Sequence, residues 1–478
     1  MRPSTLVKLA WAGNRADWLR LVFTACGAAM GTIVLLAAAT VHWLPPTELI
    51  IELGEGAWSI THTDHRYATS LLNDTAARPV VAAALLLLTL PALAFAGQSA
   101  RLGAPARDRR LAAIRLAGAT PGQIRFVGVA EATVACFVGA LLGIGCYLAI
   151  RVLAHRPVLA DPWAESTGEP PRNLVPRLPL PTDALPPLWT FGAVVVAVTA
   201  VAALLSALAL RRVTVTPLAV RWRSRQRPLR WWPLVLIAVG FVVLVVHLTI
   251  DRQNVGNQRV LLPLTGWTAV LSLIFGVALC AAPLGQLVAR LTRRYMRRPG
   301  PMLAAKWIIA DPWSGTRSLA ILLISVFIGA AAIRGITYAE AGLVFGWVTE
   351  QDVHRFGLFV LVVTLVVASA GLLFAMVEGM LTRRRALAGL IAAGTPHGTL
   401  ARAVLMQALL PGVPAVLLAV VVGVAAVASA ETQPLPLSAG ATELALLGGG
   451  AIAGIALAAA VSLIVLRASV AVDELRTE

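Results

Sequence analysis

Few residues of this chain have the type and spacing that nucleotide hydrolysis or nucleophilic catalysis would need. A P-loop requires a lysine followed by serine or threonine, because the lysine reaches the phosphates of the nucleotide. The sequence contains two lysines: Lys8 is followed by leucine, and Lys306 is followed by tryptophan. Neither fits a P-loop, and no Ser-His-Asp set or carboxylate pair can be placed. We therefore predict that the chain is not an enzyme and has no catalytic residues.

Metal ligation and disulfide bonding are also poorly supported by the sequence. His62, Asp64 and His65 lie together, but within one short hydrophilic loop, which is typical of solvated polar residues. The four cysteines all lie in apolar stretches and form no CxxC pair. Because zinc sites and disulfide frameworks usually show paired cysteines, we interpret these four as small buried side chains. No metal or cofactor is expected on this chain.

The composition indicates the environment in which the chain folds. Hydrophobic residues make up 58% of the sequence and charged residues 13%, whereas a soluble domain carries roughly 25% charged residues. A helix needs about 20 apolar residues to cross a membrane. Ten stretches reach about that length: 20–43, 79–98, 124–150, 188–210, 231–250, 260–286, 318–338, 356–377, 403–429 and 442–465. The predicted fold is an all-α polytopic membrane protein with ten transmembrane helices.

The basic residues predict how these helices are oriented. The formal net charge is +17, and 30 of the 40 Lys and Arg residues fall on one side when the ten spans alternate in direction. An excess of Lys and Arg marks the cytoplasmic side of a membrane protein. Both termini are therefore predicted to be cytoplasmic. Nucleic acid is not expected as a partner, because its recognition needs a basic face with base-reading elements.

An internal repeat organises the spans. The segment 111–121, LAAIRLAGATP, recurs at 387–396 as LAGLIAAGTP, with a shift of 276 residues up to the glycines. Weaker similarities lie before the first span and after the fourth span of each copy. The spans are thus predicted to be arranged as four, two and four. The corresponding domains are a first repeat (1–222), a two-helix spacer (223–299) and a second repeat (300–478).

The repeated cytoplasmic segment is the strongest candidate site. Apolar residues at helical spacing follow a run of arginines, and glycine and proline end the pattern, which predicts a short amphipathic helix between two spans. Such a helix could anchor a loop on the membrane surface, or it could dock a cytosolic partner. The residues of the first copy are Arg107, Arg109, Arg110, Leu111, Ile114, Arg115 and Gly118. Those of the second copy are Arg383, Arg384, Arg385, Leu387, Leu390 and Gly394.

Glu131 is the one acidic residue that lies well inside a predicted span, and Gln407 occupies the matching place in the second copy. An isolated carboxylate at the centre of a membrane helix costs roughly 3 kcal/mol unless it is paired or neutral. It could carry protons in a secondary transporter. The glutamine in the other copy argues against symmetrical proton chemistry, so we favour a structural role beside an arginine near the inner interface.

These motifs resemble those of the FtsX-like permeases, the membrane subunits of MacB-type (type VII) ABC systems. In 111–132, LAAIRLAGATPGQIRFVGVAEA, the residues Ala117, Gly118, Ala119, Ile124 and Glu131 match the family pattern. The second copy keeps Gly394 but has Gln407 in place of the glutamate. The ten-span layout is similar to that of BceB-type permeases, although the external segment 334–355 is too short for their large external domain.

The resemblance implies a multi-pass protein of the bacterial cytoplasmic membrane that works with a separate ABC ATPase. ATP and Mg²⁺ would be bound by that ATPase, and two copies of it would dock on the two repeated segments. The function we expect is ATP-driven export or extraction of an amphipathic, lipidic or peptide substrate. The alternative is signalling, in which ATP-driven motion is relayed to an extracytoplasmic partner such as a cell-wall enzyme or sensor. A secondary transporter is the least favoured interpretation.

Overall fold

The computed structural model is dominated by long helices. It describes residues 15–45, 48–52, 58–63, 66–75, 77–99, 118–160, 175–211, 231–252, 261–296, 298–340, 350–431, 435–436, 438 and 440–469. The helices of this part of the chain are α1 (Arg15–His42), α2 (Ser70–Asn73), α3 (Arg78–Ser99), α4 (Pro121–Ala154), α5 (Leu188–Arg211), α6 (Trp232–Arg252), α7 (Leu261–Tyr295), α8 (Pro299–Ala310), α9 (Pro312–Glu340), α10 (Glu350–Ala392), α11 (His397–Ala428) and α12 (Ala441–Ser469). The strands are β1 (Glu48–Glu52), β2 (Trp58–Thr63), β3 (Val158–Ala160) and β4 (Val175–Arg177).

The predicted helical membrane fold is confirmed. Within the described residues, nine helices are long and apolar enough to cross a membrane. The remaining predicted span, 188–210, coincides with α5, whose described apolar stretch is the shorter segment Leu188–Leu204. The count of ten spans and the cytoplasmic placement of the termini stay predictions.

The chain divides into two compact units. One contains α1 to α5, the end of α9 and the beginning of α10. The other contains α6 to α8, most of α9 and α10, and α11 and α12. The two spacer helices therefore cluster with the second repeat. The domain limits 1–222, 223–299 and 300–478 remain predictions drawn from the repeat.

Glycines allow the helices of the first unit to approach closely. A methyl group on Gly27 of α1 would lie 2.8 Å from the backbone nitrogen of Ala96 in α3. On α4, a methyl group on Gly143 would lie 2.7 Å from the Ala29 carbonyl oxygen of α1. Small residues four apart permit such contact between membrane helices. In this unit the pairs Gly27/Gly31 and Gly139/Gly143 therefore define the faces on which α1 meets α3 and α4.

In the first unit, the described parts of the loops predicted to be external pack together as a small cap. β1 pairs with β2, and β3 pairs with β4, each pair antiparallel. Tyr67 is 2% exposed and its hydroxyl donates to Asp183 over 2.9 Å. Burial and this hydrogen bond raise the pKa of the Tyr67 phenol well above its usual range. Leu71, Leu72 and Val41 form an apolar cluster beneath it.

Two arginines fasten this cap through backbone carbonyls. Arg78 is 5% exposed and donates to the carbonyl oxygens of Leu72, at 2.8 Å, and Pro45, at 2.7 Å. Arg151 donates to the carbonyl oxygens of Thr182 and Ala184, both at 2.7 Å. Each guanidinium satisfies several carbonyls that would otherwise be partly removed from water. Arg78 and Arg151, which lie on the side predicted to be external, therefore serve the protein's own loops.

Candidate functional site

The two repeated segments end in the same backbone turn. Gly118 has φ +91° and Gly394 has φ +87°, both in the left-handed region. A residue with a Cβ atom costs about 1–2 kcal/mol in that region, which explains the glycine in each copy. Beyond each turn a long membrane helix begins, α4 after Gly118 and α11 after Gly394. The stop predicted at Gly394 is confirmed, because α10 ends at Ala392, whereas the residues that precede Gly118 lie outside the described part of the chain.

The second turn closes its helix with a Schellman motif. The Gly394 N–H donates to the Ile391 carbonyl oxygen over 2.9 Å, and the Thr395 N–H donates to the Leu390 carbonyl oxygen over 3.0 Å. This pair of bonds satisfies carbonyl groups that the end of a helix leaves without partners. The turn is thus fixed by its own backbone.

The prediction of a separate short helix in the second copy is wrong. Residues 383–392 are the last part of α10, which continues without a break for 43 residues from Glu350 to Ala392. No proline interrupts the sequence between the predicted span 356–377 and the arginines, and leucine, alanine and arginine favour continued helix. At about 1.5 Å per residue, the fifteen residues past Val377 carry the helix roughly 22 Å beyond the span.

The apolar stripe of the second copy packs against protein. Leu387 is 3% exposed and Leu400 of α11 is 2% exposed, and the two form one cluster. The partly buried residues packed on this cluster are Leu303, Trp307, Met380, Leu390, Ile391 and Leu463. The stripe is therefore occupied by α8, α11 and α12, so it does not serve as a free membrane anchor. Gly389 and the turn at Gly394 remain exposed.

Several predicted residues cannot be placed. Residues 101–117, which include Arg107, Arg109, Arg110, Leu111, Ile114 and Arg115, lie outside the described residues. The backbone of 383–385 belongs to α10, but the side chains of Arg383, Arg384 and Arg385 lie outside the described part. The separate short helix predicted for the first copy stays a prediction.

Glu131 and Gln407, the polar residues predicted to lie inside the membrane, are on corresponding helices. Glu131 is on α4 and is 9% exposed. Gln407 is on α11 and is half-buried. Burial of Glu131 agrees with a support role, because a buried carboxylate needs a partner. The role itself stays a prediction.

A second buried charge was missed by the sequence analysis. Arg334 was assigned to the external segment 334–355, but it lies within α9 and is 1% exposed. Its Nε donates to Glu431 Oε1 over 2.6 Å and its Nη2 donates to Glu431 Oε2 over 2.8 Å. The guanidinium also donates to the carbonyl oxygens of Leu435, at 3.0 Å, and Pro436, at 3.1 Å. One arginine thus holds the loop that follows α11 against the end of α9.

The charges of Arg334 and Glu431 offset each other, and their polar atoms are hydrogen-bonded. Burial raises the pKa of Glu431, but the hydrogen bonds from Arg334 and from the Leu435 N–H outweigh it, so the pKa lies below its usual range. Both carboxylate oxygens and three guanidinium nitrogens have partners. The signal available in the sequence was the arginine itself, which interrupts the otherwise apolar stretch 319–338.

Comparison with known families agrees with the repeat. The model of the FtsX-like permease C-terminal family matches residues 82–218 and 358–471, more than half of the chain. The two matches cover α3 to α5 and α10 to α12, and each includes one of the glycine turns. A comparison with curated proteins gives no significant match.

Members of this family are generally non-catalytic membrane subunits of ABC-type transporters and generally work with an ABC ATPase partner. The nine apolar helices of the described residues fit a multi-pass integral protein, which in bacteria resides in the cytoplasmic membrane. With two matched segments in one polypeptide, each containing one of the glycine turns, the chain belongs to the FtsX-like permease family.

Proposed function

We propose that this chain is a pseudo-dimeric permease of a MacB-type ABC system, in which one polypeptide supplies both membrane halves. The observation that carries the proposal is the pair of family matches, each with a glycine turn between two membrane helices. Two equivalent cytoplasmic turns can face the two subunits of a two-fold symmetric partner. The partner is then an ATPase dimer, and ATP and Mg²⁺ are bound there.

The docking surfaces are the segments around 106–118 and 382–394. In the second copy, packing of Leu387 against Leu400 fixes the helix end, so a force on the turn would be passed to α10 and α11 together. Such rigid support favours a docking role over simple anchoring at the membrane surface. Export or extraction of an amphipathic substrate is the preferred activity.

Signalling to an extracytoplasmic partner is the second candidate. It is favoured by the ordered cap of the first unit, because the Tyr67–Asp183 and Arg78 hydrogen bonds give the outer loops a defined surface. In a transporter, substrate would stimulate ATP hydrolysis by the reconstituted complex. In a signalling device, an external protein would remain bound through purification.

The stoichiometry tests the proposal. The full chain is purified with its ATPase from cross-linked membranes, and the native mass of the complex is measured. One permease chain with two ATPase subunits is expected. Two permease chains for one ATPase dimer would overturn the pseudo-dimer.

Charge reversal tests the two docking segments separately. The variants R109E/R110E and R384E/R385E are compared for ATP hydrolysis by the reconstituted complex, with Arg156→Glu at the predicted outer end as the matched control. A larger loss is expected for R109E/R110E, because the first segment has a further cation, Arg115, where the second has Ile391. Unchanged hydrolysis in both double variants would place the ATPase elsewhere.

The role of Glu131 is tested by two substitutions in the same complex. Glu131→Gln is expected to keep most transport activity, since glutamine already fills the matching place at 407. Glu131→Ala is expected to lose more, because it leaves a buried partner unsatisfied. If glutamine abolishes transport while ATP hydrolysis persists, the carboxylate takes part in the mechanism.

A further inference from the structure

A dense group of exposed cations lies where the second spacer helix ends. Arg290, Arg293 and Arg294 are exposed on the last turns of α7, Arg298 is exposed at the start of α8, and Lys306 is exposed further along α8. We call these five residues the spacer patch. The single acidic residue between 286 and 311 is Asp311, so the surface is strongly positive.

Packing of the two helices gives this patch a fixed shape. Ala289, Ala305 and Ile308 are buried together and hold α8 against α7. The opposite side of α8 presents Met302, 36% exposed, and Lys306 one turn later. Helix packing therefore directs the cations of the patch away from the protein.

Unlike the cations of the spacer patch, three arginines near the predicted outer side use their donors within the protein. Arg78, Arg151 and Arg334 donate to carbonyl oxygens or a carboxylate of this chain. Helix-dipole compensation accounts for arginines in the last turn of α7, but it does not require Arg298 or Lys306. The number of exposed cations thus exceeds what the fold itself uses.

The level of the patch in the membrane follows from the length of α7. The helix has 35 residues, about 52 Å at 1.5 Å per residue, whereas the hydrocarbon core is about 30 Å thick. The apolar sequence stops at Ala289, so the last turns reach the headgroup region. Large side chains that suit an interface alternate with the cations there: Leu291 is 46% exposed, Tyr295 72% and Met296 50%.

We propose that the spacer patch binds anionic phospholipid headgroups of the membrane leaflet on its own side, predicted to be the cytoplasmic one. Four or more cations beside a membrane helix form the pattern that attracts acidic lipids. Guanidinium groups donate two parallel hydrogen bonds to phosphate oxygens, while Tyr295 and Met296 enter the boundary with the acyl chains. The spacer thereby fixes the second unit to acidic lipid, independently of the ATPase.

Native mass spectrometry of the full purified chain tests this, with phosphatidylglycerol as the probe and phosphatidylcholine as the neutral lipid. The variant R293Q/R294Q is compared with R293K/R294K, which keeps the charge, and with Arg156→Gln at the predicted outer end. Each cation near the surface strengthens acidic-lipid binding about five-fold. The glutamine variant should therefore lose about 25-fold in phosphatidylglycerol affinity, while the lysine variant and Arg156→Gln stay within about two-fold.

Equal phosphatidylglycerol affinity in the wild type and R293Q/R294Q would overturn the proposal. So would release of a copurified ATPase by R293Q/R294Q with lipid affinity unchanged, since the patch would then bind protein. If R293Q/R294Q does not fold, the salt dependence of lipid binding by the wild type tests the proposal. Its preference for phosphatidylglycerol should weaken steeply as salt is raised from about 0.05 to 0.5 M, and a preference insensitive to salt would contradict the headgroup interaction.

Discussion

The two halves of the repeat are secured differently at the ends predicted to be external. In the first, several hydrogen bonds together hold the outer loops. Arg78 and Arg151 bind carbonyl oxygens, and the Ser70 hydroxyl donates to Asp352 over 2.8 Å. In the second, the buried ion pair of Arg334 with Glu431 holds the loop after α11. The inner ends match instead, each with a glycine turn. The shared plan is therefore kept at the turns, and the outer loops are where the halves diverge.

Losing the buried ion pair should cost more stability than losing one of the several hydrogen-bonding groups of the first half. Arg334→Ala leaves a buried carboxylate without its partner and is expected to cost about 3–5 kcal/mol of stability. Arg151→Ala should cost less, about 1–3 kcal/mol, because it removes hydrogen bonds at a half-buried site. Thermal unfolding in detergent measures both.

A double variant separates the cost of leaving a buried charge unpaired from the cost of removing side-chain volume. R334M/E431L removes both charges and should recover much of the stability that Arg334→Ala loses, since apolar groups can replace a buried ion pair. Equal losses for Arg334→Ala and Arg151→Ala would contradict the contrast between the two outer ends.

Low pH should reduce the contribution of the ion pair to stability. The pKa of Glu431 is lowered in the folded protein, so its contribution is fully present above the ordinary glutamate pKa of about 4.3 and disappears as the pH falls through the lower folded value. The stability gap between the wild type and Glu431→Gln should be constant from about pH 7 to 5 and shrink below about pH 4. A gap that stays constant to lower pH would show that the charge on Glu431 is not what matters.

Helix packing offers the next contrast between the halves. A methyl group on Gly143 would lie 2.7 Å from the Ala29 carbonyl oxygen, so Gly143→Ala should cost about 1–3 kcal/mol. The alignment that pairs Glu131 with Gln407 places Ala419 opposite Gly143, and Ala419 is fully buried, so the second half already accepts a methyl group. Gly145→Ala on the same helix is the control, because no atom lies within 4 Å of its added carbon. Similar unfolding temperatures for the two variants would refute close packing of α1 on α4.

Much of this architecture was accessible from the sequence because it rests on local signals. Apolar stretches located the helices, and the Gly-Thr-Pro and Gly-Ala-Thr-Pro sequences located the turns. The continuation of α10 was missed because the arginines at 383–385 were interpreted as a helix start, although they fit the interior of a helix equally well. The ion pair joins residues 97 positions apart, and no periodic pattern links an arginine in one helix with a glutamate beyond another.

The shared turns should respond alike in both halves. Gly118→Ala and Gly394→Ala each place a Cβ atom at positive φ, and each should cost about 1–2 kcal/mol. Gly389→Ala, in an exposed part of α10 with no atom within 4 Å of the added carbon, should be neutral or stabilising because alanine favours helix over glycine. A cost at Gly118 without a cost at Gly394 would mean that the second family match lacks the same backbone constraint.

The smallest expected difference lies one step beyond these turns, at the start of the next helix. The Gln123 N–H donates to the Thr120 hydroxyl over 3.4 Å, and the Thr120 N–H donates to Gln123 Oε1 over 3.1 Å, which is a capping box. The second half has Pro396 at the N-cap, with no side-chain hydrogen bond. Thr120→Ala should therefore cost about 1 kcal/mol, whereas Pro396→Ala removes no cap and should change stability by less. Thr120→Ser, which keeps the hydroxyl, is the control. If Thr120→Ser loses as much as Thr120→Ala, the hydroxyl is not the stabilising group and the two helix starts are equivalent.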